Sequence, residues 1–246
     1  MEFTLLHLYP DLMSLYGSYA NVALLRRHLE DLGNTVTVKT ASFGDEADLA
    51  CADFVFLGAG TERSQKAVLK NFLRYGDAVK QAAGDGTAML FAGTAMELLG
   101  KTITDADGAV YEGIALADFT SVQGKTRIVG DVYGTTDLFE PPVVGFMNKC
   151  SILSGVTAPL LSHCQLGFGN EAEGGPEGYH EGNVFASHLT GPLLVKNPLL
   201  LGAVIAALYR RRGEPLPEQI PPYPYEENGY AITAQQLKLR MESAKK

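Results

Sequence analysis

The amino-acid sequence predicts an α/β protein whose mostly parallel central sheet carries helices on both faces. Short apolar runs alternate with amphipathic helical patterns, which is the order expected of consecutive βαβ units. Two of these runs, 53–57 (DFVFL) and 88–92 (AMLFA), are apolar at nearly every position, as is typical of strands buried on both faces. With 246 residues, of which 46% are hydrophobic and 20% charged, the chain can bury a core, which excludes a disordered or disulfide-scaffold protein.

The first half of the chain predicts strand-to-helix units in succession. A strand at 3–9 precedes a helix that ends at Gly33, and the apolar residues of that helix share one face: Val22, Leu25, Leu29 and Leu32. Alternating β-branched residues predict a strand at 35–41. Ser64 is expected to cap the helix that follows strand 53–57, because its side chain can accept from a backbone N–H of the first turn.

After strand 88–92, Gly93 predicts a sharp turn into a short helical segment at 94–99. The pattern changes in the stretch 101–142, where strand-like pieces alternate with turn residues. This pattern predicts an antiparallel ribbon insertion. Short strands are then expected at the following positions: 143–148, 166–170 and 184–189. Asn197 and Pro198 predict the start of an apolar helix that Gly213 ends.

We divide the chain into a domain at 1–213 and an extension at 214–246. The extension is expected to begin as a Pro-rich extended linker and to end in a polar helix, 233–246, that contacts the body or a partner.

Composition excludes several classes of function. The formal net charge of −8 gives no basic surface for nucleic acid or an anionic membrane, and the longest apolar run, 198–209, is too short to span a bilayer. Cys51, Cys150 and Cys164 have neither metal-ligand spacing nor a close pair, which favours reduced thiols. The N-terminus does not look like a secretory signal. We therefore expect a cytoplasmic protein without a metal, a cofactor or a membrane-inserted segment.

Four ordered motifs carry a family resemblance: LYPDLMSLYG at 8–17, DFVFLGAGTERSQ at 53–65, GFGN at 167–170 and TGPLLVKNP at 190–198. Together they resemble the cobyric-acid-synthase-like class I glutamine amidotransferases, and within them the glutaminase subunits of bacterial lipid II isoglutaminyl synthases, which serve peptidoglycan and cell-wall biosynthesis. The resemblance spans most of the chain. It implies a flavodoxin-like fold and a Mur-ligase-like partner protein that receives ammonia released from glutamine.

In this family a cysteine thiolate attacks the glutamine amide, a histidine carries the proton, and backbone N–H groups stabilise the oxyanion. Aligning the family's elbow motif on Leu99 and Gly100 puts Gly93 at the cysteine and Glu97 at a position usually occupied by Gln. Aligning GPLLVKNP puts Thr190 at the histidine. The resemblance therefore predicts a pseudoenzyme that has lost both the nucleophile and the base.

The residual pocket is expected to be formed by the loop Gly58, Ala59 and Gly60 together with Thr94, Glu97 and Asn170. Ala59 replaces the middle glycine of the family motif. We expect backbone strain at Ala59, because glycine adopts a positive φ freely and alanine does not. Gly93 can keep the strained elbow without a side-chain penalty. The sequence thus predicts that the backbone of the site is retained although its catalytic groups are missing.

Several residues could substitute for the missing groups. Cys150 or Thr94 could act as an atypical nucleophile, although Cys150 is more simply a small buried apolar residue, and His188 is the imidazole nearest to Thr190 in sequence. His180 with Glu177 and Glu181 indicates a surface network rather than a metal site. Asp11 and Asn21 could equally bind a ligand or cap a turn.

Three functions follow. The favoured one is a noncatalytic, pseudo-glutaminase subunit that binds a Mur-ligase-like amidoligase. The alternatives are an active glutaminase that supplies ammonia through a non-standard nucleophile, and a noncatalytic module whose old pocket holds glutamine or another small amide.

Overall fold

Residues 1–218 and 221–244 are described by a computed structural model of the chain. The twelve strands are β1 (Glu2–Leu8), β2 (Thr35–Ala41), β3 (Phe54–Leu57), β4 (Ala88–Ala92), β5 (Thr102–Thr104), β6 (Val110–Glu112), β7 (Thr120–Thr136), β8 (Phe139–Ser154), β9 (His163–Leu166), β10 (Tyr179–Glu181), β11 (Val184–Ser187) and β12 (Leu189–Thr190). The α-helices are α1 (Ala20–Asp31), α2 (Glu62–Phe72), α3 (Gly76–Gly84), α4 (Leu193–Lys196), α5 (Pro198–Arg211) and α6 (Pro224–Ala244), and a 3-10 helix spans Gly93–Leu99.

The first sheet has the strand order β10-β11-β4-β3-β1-β2, and all of its pairings are parallel except that of β10 with β11. Helices α2 and α3 pack on one face through residues such as Phe72 and Val79, and α1 and α5 pack on the other through residues such as Leu25 and Val204. Both faces are therefore covered, which explains why β3 and β4 are apolar throughout. The predicted α/β fold with a mostly parallel sheet is confirmed.

The second sheet has the order β12-β8-β7-β5-β6; β5 pairs with residues 120–122 of β7, and β9 pairs with residues 133–135 of the same strand. Its centre is the long antiparallel pair β7 and β8, which joins residues 120–136 to 139–154. The predicted ribbon at 101–142 forms part of this sheet, but β8 continues to Ser154 and absorbs the separate strand expected at 143–148. The division into a domain and an extension remains a prediction.

Two further local predictions are wrong. Thr61 rather than Ser64 caps α2, since Thr61 Oγ1 accepts from the backbone N–H of Ser64 at 3.0 Å. The strand expected at 166–170 lies earlier, at β9.

The linker is shorter than expected, because α6 begins at Pro224, where the fixed φ of proline favours a first helical turn and two acidic residues follow it. Residues 219, 220, 245 and 246 of the predicted extension lie outside the described residues. Within the described parts of the chain, no helix is both long enough and apolar enough to cross a membrane.

Candidate functional site: a closed elbow at the end of strand β4

The elbow predicted at Gly93 lies where β4 ends and the 3-10 helix begins. Gly93 has a φ of +63°, a region that favours glycine. A β-carbon added to Gly93 would lie 2.6 Å from the β-carbon of Ala59 and 3.4 Å from Cγ2 of Thr190. The structure therefore brings together three positions that the sequence singled out, and it leaves no space for a side chain on Gly93.

Thr190 turns its methyl group toward this elbow and its hydroxyl away from it. The hydroxyl donates to the backbone carbonyl of Phe146 at 3.0 Å, and Thr190 is only 4% exposed. No proton-accepting group of Thr190 faces Gly93. The family resemblance assigns the base to position 190, and there Thr190 presents only an unreactive methyl group to the elbow.

The backbone N–H groups of the loop after β3 are already paired. The N–H of Ala59 donates to Ser18 Oγ at 3.2 Å, and the N–H of Gly60 donates to Thr94 Oγ1 at 3.0 Å. The Thr94 hydroxyl in turn donates to the carbonyl of Gly60 at 3.0 Å. An oxyanion would have to displace side-chain oxygens to reach these donors, and the Thr94 hydroxyl is held by the loop rather than offered to a substrate.

The segment before α1 closes the loop from outside. A β-carbon on Gly58 would collide with the carbonyl oxygen of Met13, and one on Gly60 would collide with the Met13 sulfur. Leu15 donates its N–H to the carbonyl of Ala59 at 2.9 Å. Ala59 itself is not among the three described non-glycine residues with a positive φ, so the strain expected there is absent. The methyl group of Ala59 acts instead by filling space.

Glu97 lies beneath the elbow and is the centre of a buried polar network. It is 1% exposed and accepts hydrogen bonds from Ser121 at 2.9 Å, Gln123 at 3.0 Å and Ser151 at 2.8 Å. Gln123 also donates to Gln65, whose amide donates to the carbonyl of Thr94 at 2.7 Å. Burial alone would raise the pKa of Glu97, but the adjacent His188 and the donated hydrogen bonds lower it to about 2. The carboxylate is therefore ionised and fully engaged.

His188 follows β11 and lies between two buried carboxylates. Its Nε2 is 3.6 Å from Glu97 Oε1, and its Nδ1 is 3.5 Å from Glu177 Oε1. His188 also donates its backbone N–H to Glu177 at 2.8 Å, while Ser187 donates to the other oxygen of Glu177 at 2.7 Å. Burial acts to raise the pKa of Glu177, but these contacts lower it overall. His188, the substitute base considered above, is thus held in the network away from Gly93.

The sequence predicted a surface network of His180, Glu177 and Glu181, and this prediction is wrong for Glu177. Glu177 is 0% exposed and belongs to the buried cluster. His180 instead approaches the carbonyl of Val184 at 3.0 Å, and Glu181 accepts from the hydroxyl of Tyr179. Among residues 1–218 and 221–244, no group of three or more His, Cys, Asp or Glu side chains is arranged to hold a metal ion.

Lys149 is a member of the network that the sequence analysis missed. It is 1% exposed and donates to the carbonyls of Gly169 at 2.8 Å and Asn170 at 3.4 Å. Burial lowers its pKa, while Glu177 and Glu97 act to raise it. The alternation of β8 could have revealed it, because the buried positions of this strand recur at every second residue: Met147, Lys149, Ser151 and Leu153.

Asn170 and Asn21 have structural partners rather than free polar groups. The Asn170 side chain donates to the carbonyl of Gly178 at 2.9 Å and accepts from its N–H at 3.0 Å. Asn21 accepts from the N–H of Leu194 at 2.8 Å, and Asp11 accepts from Ser42. Asp11 and Asn21 thus hold distant segments of the chain together, a role that neither the ligand-binding nor the turn-capping prediction described.

Cys150 lies on the opposite face of β8 from Lys149, in a small polar cleft of about 240 Å³. Its thiol donates to Glu62 at 3.4 Å. Burial and the Glu62 carboxylate raise the pKa of Cys150 to about 12, so the reactive thiolate is scarce at neutral pH.

A parallel sheet with a tight elbow after its central strand, flanked by a glycine-rich loop, is the architecture of a glutamine amidotransferase. A glutamine amidotransferase of Thermotoga maritima superimposes with a TM-score of 0.50 over 97% of both chains at 11% identity, which supports the fold.

The family model for the CobB/CobQ-like glutamine amidotransferase domain matches residues 4–198, and the chain belongs to that family. It is similar to the lipid II isoglutaminyl synthase (glutamine-hydrolyzing) subunit GatD of Staphylococcus aureus, with 29% identity over 89% of this chain and 90% of the relative. It is also similar to the GatD subunit of Streptococcus pneumoniae, with 30% identity over 90% of this chain and 86% of the relative.

Proposed function

We propose that this protein is a pseudo-glutaminase: a noncatalytic subunit that binds a Mur-ligase-like amidoligase acting on a peptidoglycan precursor. One observation carries the proposal. The elbow at Gly93 is filled by Ala59 and Thr190, and the neighbouring N–H donors are taken by Ser18 and Thr94. The corner that would hold the glutamine amide is occupied by the protein's own atoms.

Amide hydrolysis by this family's mechanism needs a nucleophile, a proton carrier and oxyanion donors in one place. Gly93 supplies no nucleophile, Thr190 presents a methyl group, and the donors are engaged. These three changes support a loss of glutaminase chemistry more strongly than any one of them would alone. They leave the sheet, the elbow and the outer surfaces intact, which is what a binding subunit requires.

The alternative of an active glutaminase is disfavoured by the same geometry. Thr94 exchanges hydrogen bonds with Gly60 and is 5% exposed, and Cys150 is protonated in a separate cleft beside Glu62. The alternative of a small-amide binding module is disfavoured because Gly93 and Thr94 are buried and the neighbouring N–H groups of Ala59 and Gly60 are already paired within the chain.

The partner is inferred from the relatives, both of which are described as a subunit of lipid II isoglutaminyl synthase. From the family resemblance we infer that the second subunit is a Mur-ligase-like protein, which activates a carboxylate for attack by ammonia. A noncatalytic subunit would then support amidation from free ammonia without supplying it from glutamine.

The test is to purify the protein together with the Mur-ligase-like protein of its own organism and to measure amidation of the precursor. We expect a stable complex whose amidation requires an ammonium salt and is not supported by glutamine. A glutamine-analogue diazoketone should leave the mass of the intact chain unchanged. Glutamine-dependent amidation, or covalent trapping, would overturn the pseudo-glutaminase assignment, and failure to form the complex would overturn the partner assignment.

A further inference from the structure

A cavity of about 470 Å³ lies between α6 and the body of the protein. Its walls come from the end of α1, α5, the start of β8, the segment before α6, and α6 itself. Most of the wall residues are apolar or aromatic, among them Leu32, Phe139, Leu199, Ile205, Leu216 and Tyr230. Leu199 and Leu216 remain 46% and 39% exposed, so apolar surface at this cavity is still in contact with water. Apolar walls around a space of this size are typical of small-molecule sites.

The size of the cavity excludes a protein segment as its occupant. One turn of an α-helix with its side chains is about 10 Å wide and 5.4 Å long, so it fills about 400 Å³. A helix of a partner protein would need several such turns to make a stable contact. Small-molecule sites, in contrast, measure about 300–1,000 Å³. The occupant that fits this cavity is therefore a single small molecule.

Gly202 leaves one wall of the cavity open. It lies in α5 with Pro198 four residues before it and Ile205 three residues after it, so these three residues share the face that lines the cavity. A β-carbon added to Gly202 would have no neighbouring atom within 4 Å outside its own helix backbone. Alanine would fit there and would favour the helix, because glycine is the poorer helix former. The fold does not require this glycine, and its effect is to keep space free in the cavity.

The charged side chains around the cavity favour a cation. Glu226 and Glu227 lie four and three residues before Tyr230, so all three share the face of α6 that lines the cavity. Among the described residues of the wall there is no lysine or arginine, and the histidine, His28, is paired with Glu226 at 2.9 Å. Glu227 makes no ion pair in the described parts of the chain. One carboxylate at the cavity is thus available to a bound molecule.

We propose that this cavity binds a small apolar amine, with its hydrocarbon part beside Gly202 and its ammonium group at Glu227. Removal of the hydrocarbon part from water supplies the affinity. The Glu227 carboxylate selects a cation over a neutral or anionic molecule, and the ring of Tyr230 adds a face that attracts cations. Because such a ligand contacts both α5 and α6, its binding holds α6 against the body of the protein.

Three probes of similar length test the chemistry of the ligand: phenylbutylamine, phenylbutanol and phenylbutanoate. Isothermal titration calorimetry of the full chain near neutral pH should give a Kd on the order of 1 mM for the amine, as expected of a molecule with so few atoms. The alcohol should bind about two- to fivefold more weakly, the effect of one exposed ion pair, and the carboxylate should not bind measurably. A missing signal for the amine would overturn the proposal. Equal affinity of the amine and either other probe would overturn the selection of a cation.

Gly202→Leu tests the place of binding, because the new side chain would occupy the cavity. The affinity for the amine should fall by at least about tenfold. The matched control is Gly229→Leu, since Gly229 is also a helical glycine whose added β-carbon has no neighbour within 4 Å, but it is rotated by about 100° from Tyr230. Circular dichroism checks that both variants fold. Unchanged amine binding by Gly202→Leu would overturn the placement.

Gly202→Ala provides a milder change at the same position. It should raise Tm by about 2–4 °C, because alanine is the better helix former, and yet weaken amine binding several-fold. A merely structural role for Gly202 would not separate these two effects. Amine binding as tight as in the original chain, together with the raised Tm, would show that the space beside Gly202 is not used.

Glu227→Gln tests the contact with the ammonium group. This variant should bind the amine about two- to fivefold more weakly and the alcohol with unchanged affinity, because only the charge is removed. Glu242→Gln, on an exposed carboxylate of the last turn of α6, is the control and should bind both probes like the original chain. An equal loss of affinity for the amine and the alcohol in Glu227→Gln would overturn the role of this carboxylate.

Discussion

Gly93 and Ala59 approach so closely that a β-carbon on Gly93 would lie 2.6 Å from that of Ala59. This contact joins the end of β4 to the loop after β3. It determines which residues can occupy the elbow, because a side chain at either position excludes one at the other.

Gly93→Ala should therefore destabilise the fold by about 1–3 kcal/mol from the left-handed backbone alone, with a further cost from the clash. Adding Ala59→Gly should recover the stability lost through the clash, whereas the stability lost through the left-handed backbone should remain lost. Chemical denaturation of the two single variants and the double variant measures this coupling. Simple additivity of the two changes would contradict the steric account.

Glu97 should make the protein sensitive to acid. Its pKa in the folded state is about 2, below the ordinary value of 4.5, so its contribution is complete above pH 4.5 and is lost as pH falls toward 2. The shift corresponds to about 3 kcal/mol over that window. Glu97→Gln should flatten the acid limb of the free energy of unfolding against pH, whereas Glu112→Gln, an exposed carboxylate on β6, should leave it unchanged.

Lys149→Met should destabilise the protein by about 1–3 kcal/mol, because it removes the donor to the buried carbonyls of Gly169 and Asn170. The matched control is Lys125→Met, which removes an exposed lysine from β7. Thermal unfolding of both variants near neutral pH compares them. Equal melting temperatures for the two variants would show that the buried charge is not needed.

Cys150 should react slowly with iodoacetamide at neutral pH, because its pKa is raised to about 12. Glu62→Gln removes a carboxylate that raises this pKa while Arg127 remains nearby, so alkylation of Cys150 should become faster. Peptide mass spectrometry over a pH series follows the rate at this one thiol. Glu46→Gln, on an exposed carboxylate elsewhere, is the control and should leave the rate at Cys150 unchanged.

The sequence predicted the sheet and the elbow well because their signals are local. Apolar runs identify β3 and β4, and a glycine followed by a short helical pattern identifies the turn at Gly93. The linker prediction failed from residue 224, because proline suggested extended chain there although it also favours the first turn of a helix.

The closure of the site could not be predicted in the same way. Ser18 and Ala59 are 41 residues apart, and Lys149 and Gly169 are 20 apart, so their contacts depend on how segments distant in sequence come together within each sheet. A buried lysine is also rare enough that sequence patterns favour an exposed one. Glu177 was misplaced for a related reason, since a glycine-rich segment suggested a surface loop.

The contact between Gly93 and Ala59 also constrains how this lineage could change. A mutation that placed a cysteine at 93 while Ala59 remained would meet the alanine methyl group before it could offer a thiol. Position 59 would have to become glycine first, a step with no catalytic benefit of its own. The 2.6 Å separation thus makes the residue that position 93 can accept depend on the residue already present at position 59.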